Sequence, residues 1–197
     1  MMGGSFSGMP FNGQMSIPTS LTLKTLPEGV RLTRMPVKEL DVLRLKTDSV
    51  KDITLSAGQN PLSGISGDLF DIQAEFELAG ASEFGLKVRG TTVAYKVAAK
   101  TLGALEHTAP LSPVGNRIKI RVLLDRASLE VFGNDGAVTL TSNFIPPAGD
   151  HSLAAYAVGG NVKVVSMDVH QLRGSWSPKD LKEAWDGSRI AAIGRRP

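Results

Sequence analysis

Alternation of apolar and polar side chains is clearest from Arg117 to Ser142, RIKIRVLLDRASLEVFGNDGAVTLTS. Ile118, Ile120, Val122 and Leu124 alternate with Arg117, Lys119, Arg121 and Leu123, the period of a strand with one buried face. Asp125-Arg126-Ala127-Ser128 interrupts this with turn chemistry. Leu129 and Val131 then face one way, and Ser128, Glu130 and Phe132 the other. Asn134-Asp135-Gly136 predicts a hairpin, because a primed turn needs residues that tolerate positive φ. Val138 and Leu140 resume the apolar face, with Thr139 and Thr141 outside. The stretch reads as a three-stranded meander. Phe132, apolar on the polar side, points either to a second covering layer such as the N-terminal arm or to a contact surface.

The same pattern organises the remainder. Residues 1–9 are rich in Gly, Ser and Met and read as an arm. Met15–Ile17 reads as a short strand stopped by Pro18. Leu21–Thr25 is a second strand, Pro27-Glu28-Gly29 a turn, and Val30–Thr33 its partner, with Pro36 ending the hairpin. Val37–Leu45 reads as a helical turn. Phe70, Ile72, Ala74, Phe76 and Leu78 alternate with Asp71, Gln73, Glu75 and Glu77, a near-regular period of two. Phe84, Leu86 and Val88 form the next strand, and Val93, Tyr95 and Val97 the one after. Thr101–Pro113 is weakly patterned and reads as a loop crossing. After a turn at Pro146–Asp150, Leu153–Val158 and Val162–Leu172 form a last hairpin around Gly159-Gly160-Asn161. Ser177-Pro178 starts a short helix, with Ser as N-cap and Pro at the first helical position. Trp176 reads as a core plug and Trp185 as the residue that docks this helix, stacking on a sugar ring being the other use of either.

Short strands at turn spacings of about ten residues predict an all-β sandwich or barrel, and half-apolar strands favour two antiparallel sheets that each bury one face. The expected organisation is an arm and linker hairpin over 1–45, a β-sandwich over 46–176 and a helical extension over 177–197.

Composition narrows the function classes. The 197 residues suffice for one large all-β domain, and 42% hydrophobic with 21% charged residues is ordinary for a globular protein. Twenty-two basic and 19 acidic side chains leave a net charge of +3, and the basic residues are scattered. That argues against a nucleic acid partner. No apolar run approaches the roughly 20 residues of a membrane span, so no membrane partner is expected. There is no cysteine, which removes disulfides, thiol nucleophiles and thiolate metal sites. His107, His151 and His170 lack paired spacing, so neither a metal nor another cofactor is expected. The N-terminus has no basic or apolar signal region, which leaves localisation open and suits an internal or C-terminal piece of a longer protein.

LLDRASLEVFGNDGAVTLTS resembles the signature of the C-terminal β-sandwich of glycoside hydrolase family 32, the levanases, inulinases and invertases. MPFNGQMSIPTSLTLKTLPEGVRLTRMPVKEL resembles the segment joining that family's catalytic propeller to the sandwich, and VVSMDVHQLRGSW resembles its last strand. The resemblance implies a lectin or concanavalin A-like jelly roll. It places the family's chemistry in a propeller whose WxNDPNG-type and RDP motifs and Cys-adjacent Glu have no counterpart here. The sole Asn-Asp pair, Asn134-Asp135, sits in a hairpin turn. The expected protein is thus an ancillary module with no catalytic residues of its own.

Its candidate chemistry lies at Asp125, Arg126 and Glu130. A retaining glycosidase needs two carboxyls about 5–5.5 Å apart, one of them poised as an acid, and nothing in sequence supplies that burial. Turn chemistry gives one reading: Asp125 and Ser128 bond the turn backbone, and Glu130 pairs with Arg126 or Arg121. Sugar contact gives another. A carboxylate accepts vicinal hydroxyls and a guanidinium fork donates to sugar oxygens. The resemblance implies fructan or fructose as the ligand, with Glu75, Glu77, Arg89 and Tyr95 completing a pocket if their strands neighbour the meander. The alternative is a structural module that packs on a family 32 catalytic propeller or self-associates through an uncovered face.

Overall fold

The computed structural model describes residues 15–26 and 29–175. The chain begins with β1 (Thr19–Leu26) and β2 (Gly29–Pro36), passes a 3₁₀ turn at Lys38–Leu43, and enters β3 (Arg44–Leu55). Then come β4 (Phe70–Leu78), β5 (Glu83–Val88), β6 (Thr91–Lys96), β7 (Thr101–Ala104) and β8 (His107–Pro110). The meander is β9 (Arg117–Leu124), β10 (Ser128–Gly133) and β11 (Val138–Asn143), and the last hairpin is β12 (Leu153–Val158) and β13 (Val162–Leu172). A six-stranded antiparallel sheet runs β11-β10-β9-β4-β13-β3, a five-stranded one β12-β5-β6-β7-β8, and β1-β2 stands as a separate hairpin.

The two large sheets close on one core. Phe70, Ile72, Phe76, Ile118, Ile120 and Val122 from one sheet meet Phe84, Leu86, Val93, Tyr95, Leu102 and Ala155 from the other. Phe76 of β4 and Phe84 of β5 cross the interface with ring centroids 4.9 Å apart, and Phe84 continues to Tyr95 at 5.3 Å, both in the tilted geometry aromatic pairs favour. Period-two alternation is what makes this possible, since each strand gives one face to the core and the other to solvent or to a further layer. Among the described residues no helix is long and apolar enough to cross a membrane.

The structure corrects several expectations. Met15–Pro18 lies outside any strand, and the strand starts only at Thr19. Thr101–Pro113 is not a crossing: it holds the β7–β8 hairpin, whose strands of four residues are too short to show a period. β3 lies in a stretch without a clear pattern because, as an edge strand, it leaves most of its side chains exposed. The expected C-terminal helix, Trp176, Trp185 and the arm over residues 1–9 lie outside the described residues.

Phe76→Ala should cost about 3–5 kcal/mol, the range for deleting a buried aromatic at a site that cannot collapse. Urea denaturation with an unchanged slope checks this. A loss below about 1 kcal/mol would mean that the inter-sheet stack is not the centre of the core.

Candidate functional site

Two places gather polar chemistry: the outer face of the six-stranded sheet beneath the N-terminal hairpin, and one loop end of the sandwich. The hairpin is held by the β10–β11 turn. Asn134, Asp135 and Gly136 all have positive φ, at 44°, 56° and 82°. This conformation turns the Gly136 carbonyl to accept the Arg34 N–H at 3.2 Å. A Cβ on Gly136 would stand 2.0 Å from the Arg34 oxygen, so both the twist and the contact require glycine. Asn134 fixes the turn from below: its Oδ1 accepts from the Lys119 N–H at 3.0 Å and its Nδ2 donates to the Ser112 carbonyl at 2.8 Å.

Glu130 holds the chain preceding the hairpin. Its Oε1 accepts the Ile17 N–H at 2.5 Å, across 113 residues of sequence. Only 1% of the residue is exposed, and among the described residues Oε2 has no hydrogen-bond partner. Burial pushes its carboxyl above the ordinary glutamate range, and the Ile17 N–H and the Arg34 charge only partly offset this. Leu123 and Phe132, both 2% exposed, lie on the same outer face yet outside the main core. Met35 lines the recess that holds Phe132, so the apolar residue on the polar side is explained by a covering layer.

A second buried carboxylate lies further along this face. Asp71 accepts from Arg121 Nε and Nη2 at 2.8 and 2.9 Å and from Arg44 Nη2 at 2.6 Å. Arg44 also pairs with Asp41 at 2.8 Å, which ties the 3₁₀ turn to the sheet. Burial alone would raise the Asp71 carboxyl; the two guanidiniums outweigh it and hold it below the usual aspartate value. Sequence reasoning missed Asp71 as a site residue because its partners lie 27 and 50 residues away. Only strand register reveals that Arg121, opposite Gln73, stands diagonal to it.

The expected sugar-contact residues do not converge. Glu75 is on the outer face of β4, bridged to Arg117 at 2.9 Å, with Glu77 on the same arginine at 3.2 Å. Tyr95 is fully buried in the opposite sheet and donates its hydroxyl to the Leu111 carbonyl at 2.9 Å, so it presents nothing to a ligand. Glu130 is sealed under Ile17 and pairs with neither Arg126 nor Arg121. Arg89 meets the Arg126 carbonyl at the loop end, next to Asp125. The Arg89 guanidinium, itself buried, donates to the carbonyls of Asp150 at 3.1 Å, Arg126 at 3.4 Å and Asp68 at 3.5 Å, and lies 3.3 Å from the Asp68 carboxylate. Asp68 in turn meets His151 at 2.6 Å. The Asp125 carboxylate accepts from the Arg126 N–H at 2.7 Å, as turn chemistry predicts, and both side chains are exposed.

The two buried carboxylates should respond oppositely to pH. The raised Glu130 pKa contributes stability that is full below its unfolded value and lost as pH rises through its folded value. Glu130→Gln should therefore gain on the wild type as pH rises above the ordinary glutamate range. The lowered Asp71 pKa contributes stability above its unfolded value that is lost as pH falls through its folded value. Asp71→Asn should cost about 3–5 kcal/mol near neutrality, since it strands two guanidiniums, with the gap narrowing in acid. Urea midpoints from below the ordinary aspartate value up to neutrality measure both, and parallel pH curves for the wild type and Glu130→Gln would contradict the first.

Residues 39–171 match the family model described as Glycosyl hydrolases family 32 C terminal. A levanase of Bacillus sp. (strain L7) is 38% identical over 205 residues, covering 91% of this chain and 22% of that protein. A levanase of Bacillus subtilis (strain 168) is 38% identical over 191 residues, covering 85% of this chain and 28% of that protein. The crystal structure of an exo-inulinase from Aspergillus awamori has the same fold, with a TM-score of 0.72 at 24% identity over 87% of this chain and 38% of that one. The chain therefore spans less than a third of each of these two levanases. With its all-antiparallel sandwich and its match confined to that one region, the chain belongs to the C-terminal domain family of the family 32 glycosyl hydrolases.

Proposed function

We propose that this domain is a non-catalytic module that carries and docks the catalytic domain of a fructan-degrading glycoside hydrolase. The observation that carries this reading is the β1–β2 hairpin. Its register places Leu21 with Arg34, Leu23 with Leu32 and Thr25 with Val30 on one face. Leu21, Leu23, Val30 and Leu32 are 61%, 71%, 61% and 56% exposed. Four large apolar residues on one side of a two-stranded ribbon form an interaction surface rather than scattered exposure. The DRASLEVFGNDG residues support the same reading. Glu130 grips the chain before the hairpin and Gly136 grips its second strand at Arg34, so the motif presents that surface at a fixed place.

A second reading, capture of a fructan end, is favoured by one observation. Asp125, Arg126 and His151 bring a carboxylate, a guanidinium and an imidazole to the loop end organised by Arg89. Isothermal titration with levan, inulin and fructose tests it: heats lost in Asp125→Ala and Arg126→Ala support it, and heats unchanged by both remove these residues from any sugar site.

For docking, the chain is mixed with the separately produced catalytic domain of a family 32 levanase and binding is followed by interferometry. Leu23→Lys combined with Leu32→Lys should weaken the complex at least about tenfold, roughly 1.4 kcal/mol. Full affinity in that variant would move the interface elsewhere, and no binding by the wild type would refute the docking role.

A further inference from the structure

The structure has a second incomplete surface, of backbone rather than side chains. A sandwich of two open sheets has four edge strands, and an unguarded edge pairs with other chains. Here β3, β8, β11 and β12 are the edges. β3 carries Lys46, Asp48, Lys51 and Asp52, the last at positive φ. β8 has four residues and ends in Pro110. β11 adjoins β2 and β8. β12, Leu-Ala-Ala-Tyr-Ala-Val, has no charge, no proline and no residue of positive φ.

Its hydrogen-bonding groups can be assigned by turns. The Ser152 and Val158 carbonyls accept from the Arg89 and Ser82 N–H groups, so even-numbered residues face β5. Leu153, Ala155 and Ala157 therefore aim outward. Asn60 caps one end, its Nδ2 donating to the Leu153 carbonyl at 3.2 Å and its Oδ1 accepting the Ala155 N–H at 3.3 Å. At the other end Gly159, with φ of 72°, turns the chain towards β13. Between the two runs an open groove of about 430 Å³, bordered by Ala57–Asn60 and by β12 itself. The open backbone extends from the Ala155 carbonyl to Gly159, and its midpoint is Ala157.

We propose that β12 pairs antiparallel with β12 of a second copy, about a two-fold axis at Ala157. A two-fold interface must be self-complementary, and an open window centred on one residue admits one such register. In it Ala157 exchanges a pair of bonds with its mate, and each Ala155 carbonyl accepts from the Gly159 N–H of the other copy. The five-stranded sheets become one continuous sheet. On its outer face Tyr156 meets Val158 of the second copy, which covers a valine now 49% exposed. Tyr156 already lies opposite Gly85, with its hydroxyl on Glu83 at 2.9 Å and the Lys87 ammonium over its ring at 5.3 Å, so its ring is held in place for that contact. Charge agrees. Lys87 stands level with Ala154 and Glu83 with Val158, so reversing strand direction at the seam turns each copy's Lys87 end towards the other's Glu83 end. This pairing does not depend on hairpin docking.

Sedimentation velocity on the full chain, from about 1 to 100 µM, tests it and should show a concentration-dependent dimer. Val158→Lys places a charge on the seam and should weaken the dimer at least about tenfold, whereas the Leu23→Lys, Leu32→Lys pair should leave it intact. Because the chain has no cysteine, Tyr156→Cys with Val158→Cys should yield a disulfide dimer on a non-reducing gel after mild oxidation. A monomer throughout that range, a dimer lost only in the hairpin variant, or failure of the cysteine pair to cross-link would each overturn the proposal.

Discussion

The domain depends on covering the outer face of β10. A sheet in a sandwich has one face supplied with a partner by the fold and one that is not. Here the unsupplied face carries Leu123 and Phe132, which do not belong in water, and Glu130, which does not belong in a dry layer without a donor. The chain at Ile17 provides the donor. Met35 of β2 lines the same recess as Phe132. Glu130, desolvated there, is answered by a backbone N–H. The sandwich and the segment before it are therefore joined by a direct hydrogen bond, although the family match begins only at residue 39.

Two carboxylates on this one face show how burial is compensated in different degrees. Asp71 receives two guanidiniums and stays ionised, a closed network whose partners come from β9 and from the start of β3. Glu130 receives one N–H and a more distant positive charge, and keeps an oxygen without a partner. The first arrangement is rigid, because removing any member leaves a charge stranded. The second is a point contact on one backbone N–H, which suits a clasp on a connecting segment. Neither arrangement offers the pair of differently poised, accessible carboxyls that glycoside cleavage requires.

What was legible in the sequence follows from where a side chain's surroundings are local. β4, β9 and β11 were readable because each has a wetter face and a drier one, β10 because Ser128 and Glu130 alternate with Leu129 and Val131, and Asn134-Asp135-Gly136 announces its own turn. β3 was not, because an edge strand buries little, and β7 and β8 were not, because four residues cannot display a period. The site residues failed for another reason. A phenol such as Tyr95 reads the same whether its hydroxyl meets a sugar or the Leu111 carbonyl, and a glutamate's partner 113 residues distant is set by register that composition does not encode. Phe132 was the exception: an apolar residue out of phase is a local sign of a non-local layer.

The two proposed contacts satisfy different deficits, and the topology keeps them apart. The hairpin exposes apolar side-chain area and has its backbone paired within itself. β12 buries Leu153, Ala155 and Ala157 in the core and leaves backbone groups open. β2 adjoins β11, which lies over β8 at one lateral margin of the sandwich. β12 lies at the other, where the chain leaving β3 crosses to place Asn60 on its edge. A partner seated on the hairpin would therefore not occlude the seam. Two copies joined at Ala157 would carry their hairpins on the outer margins, facing away from each other. Such an arrangement sets any docked domains at the ends of one continuous sheet, so self-association through β12 and attachment through the hairpin are compatible in a single assembly.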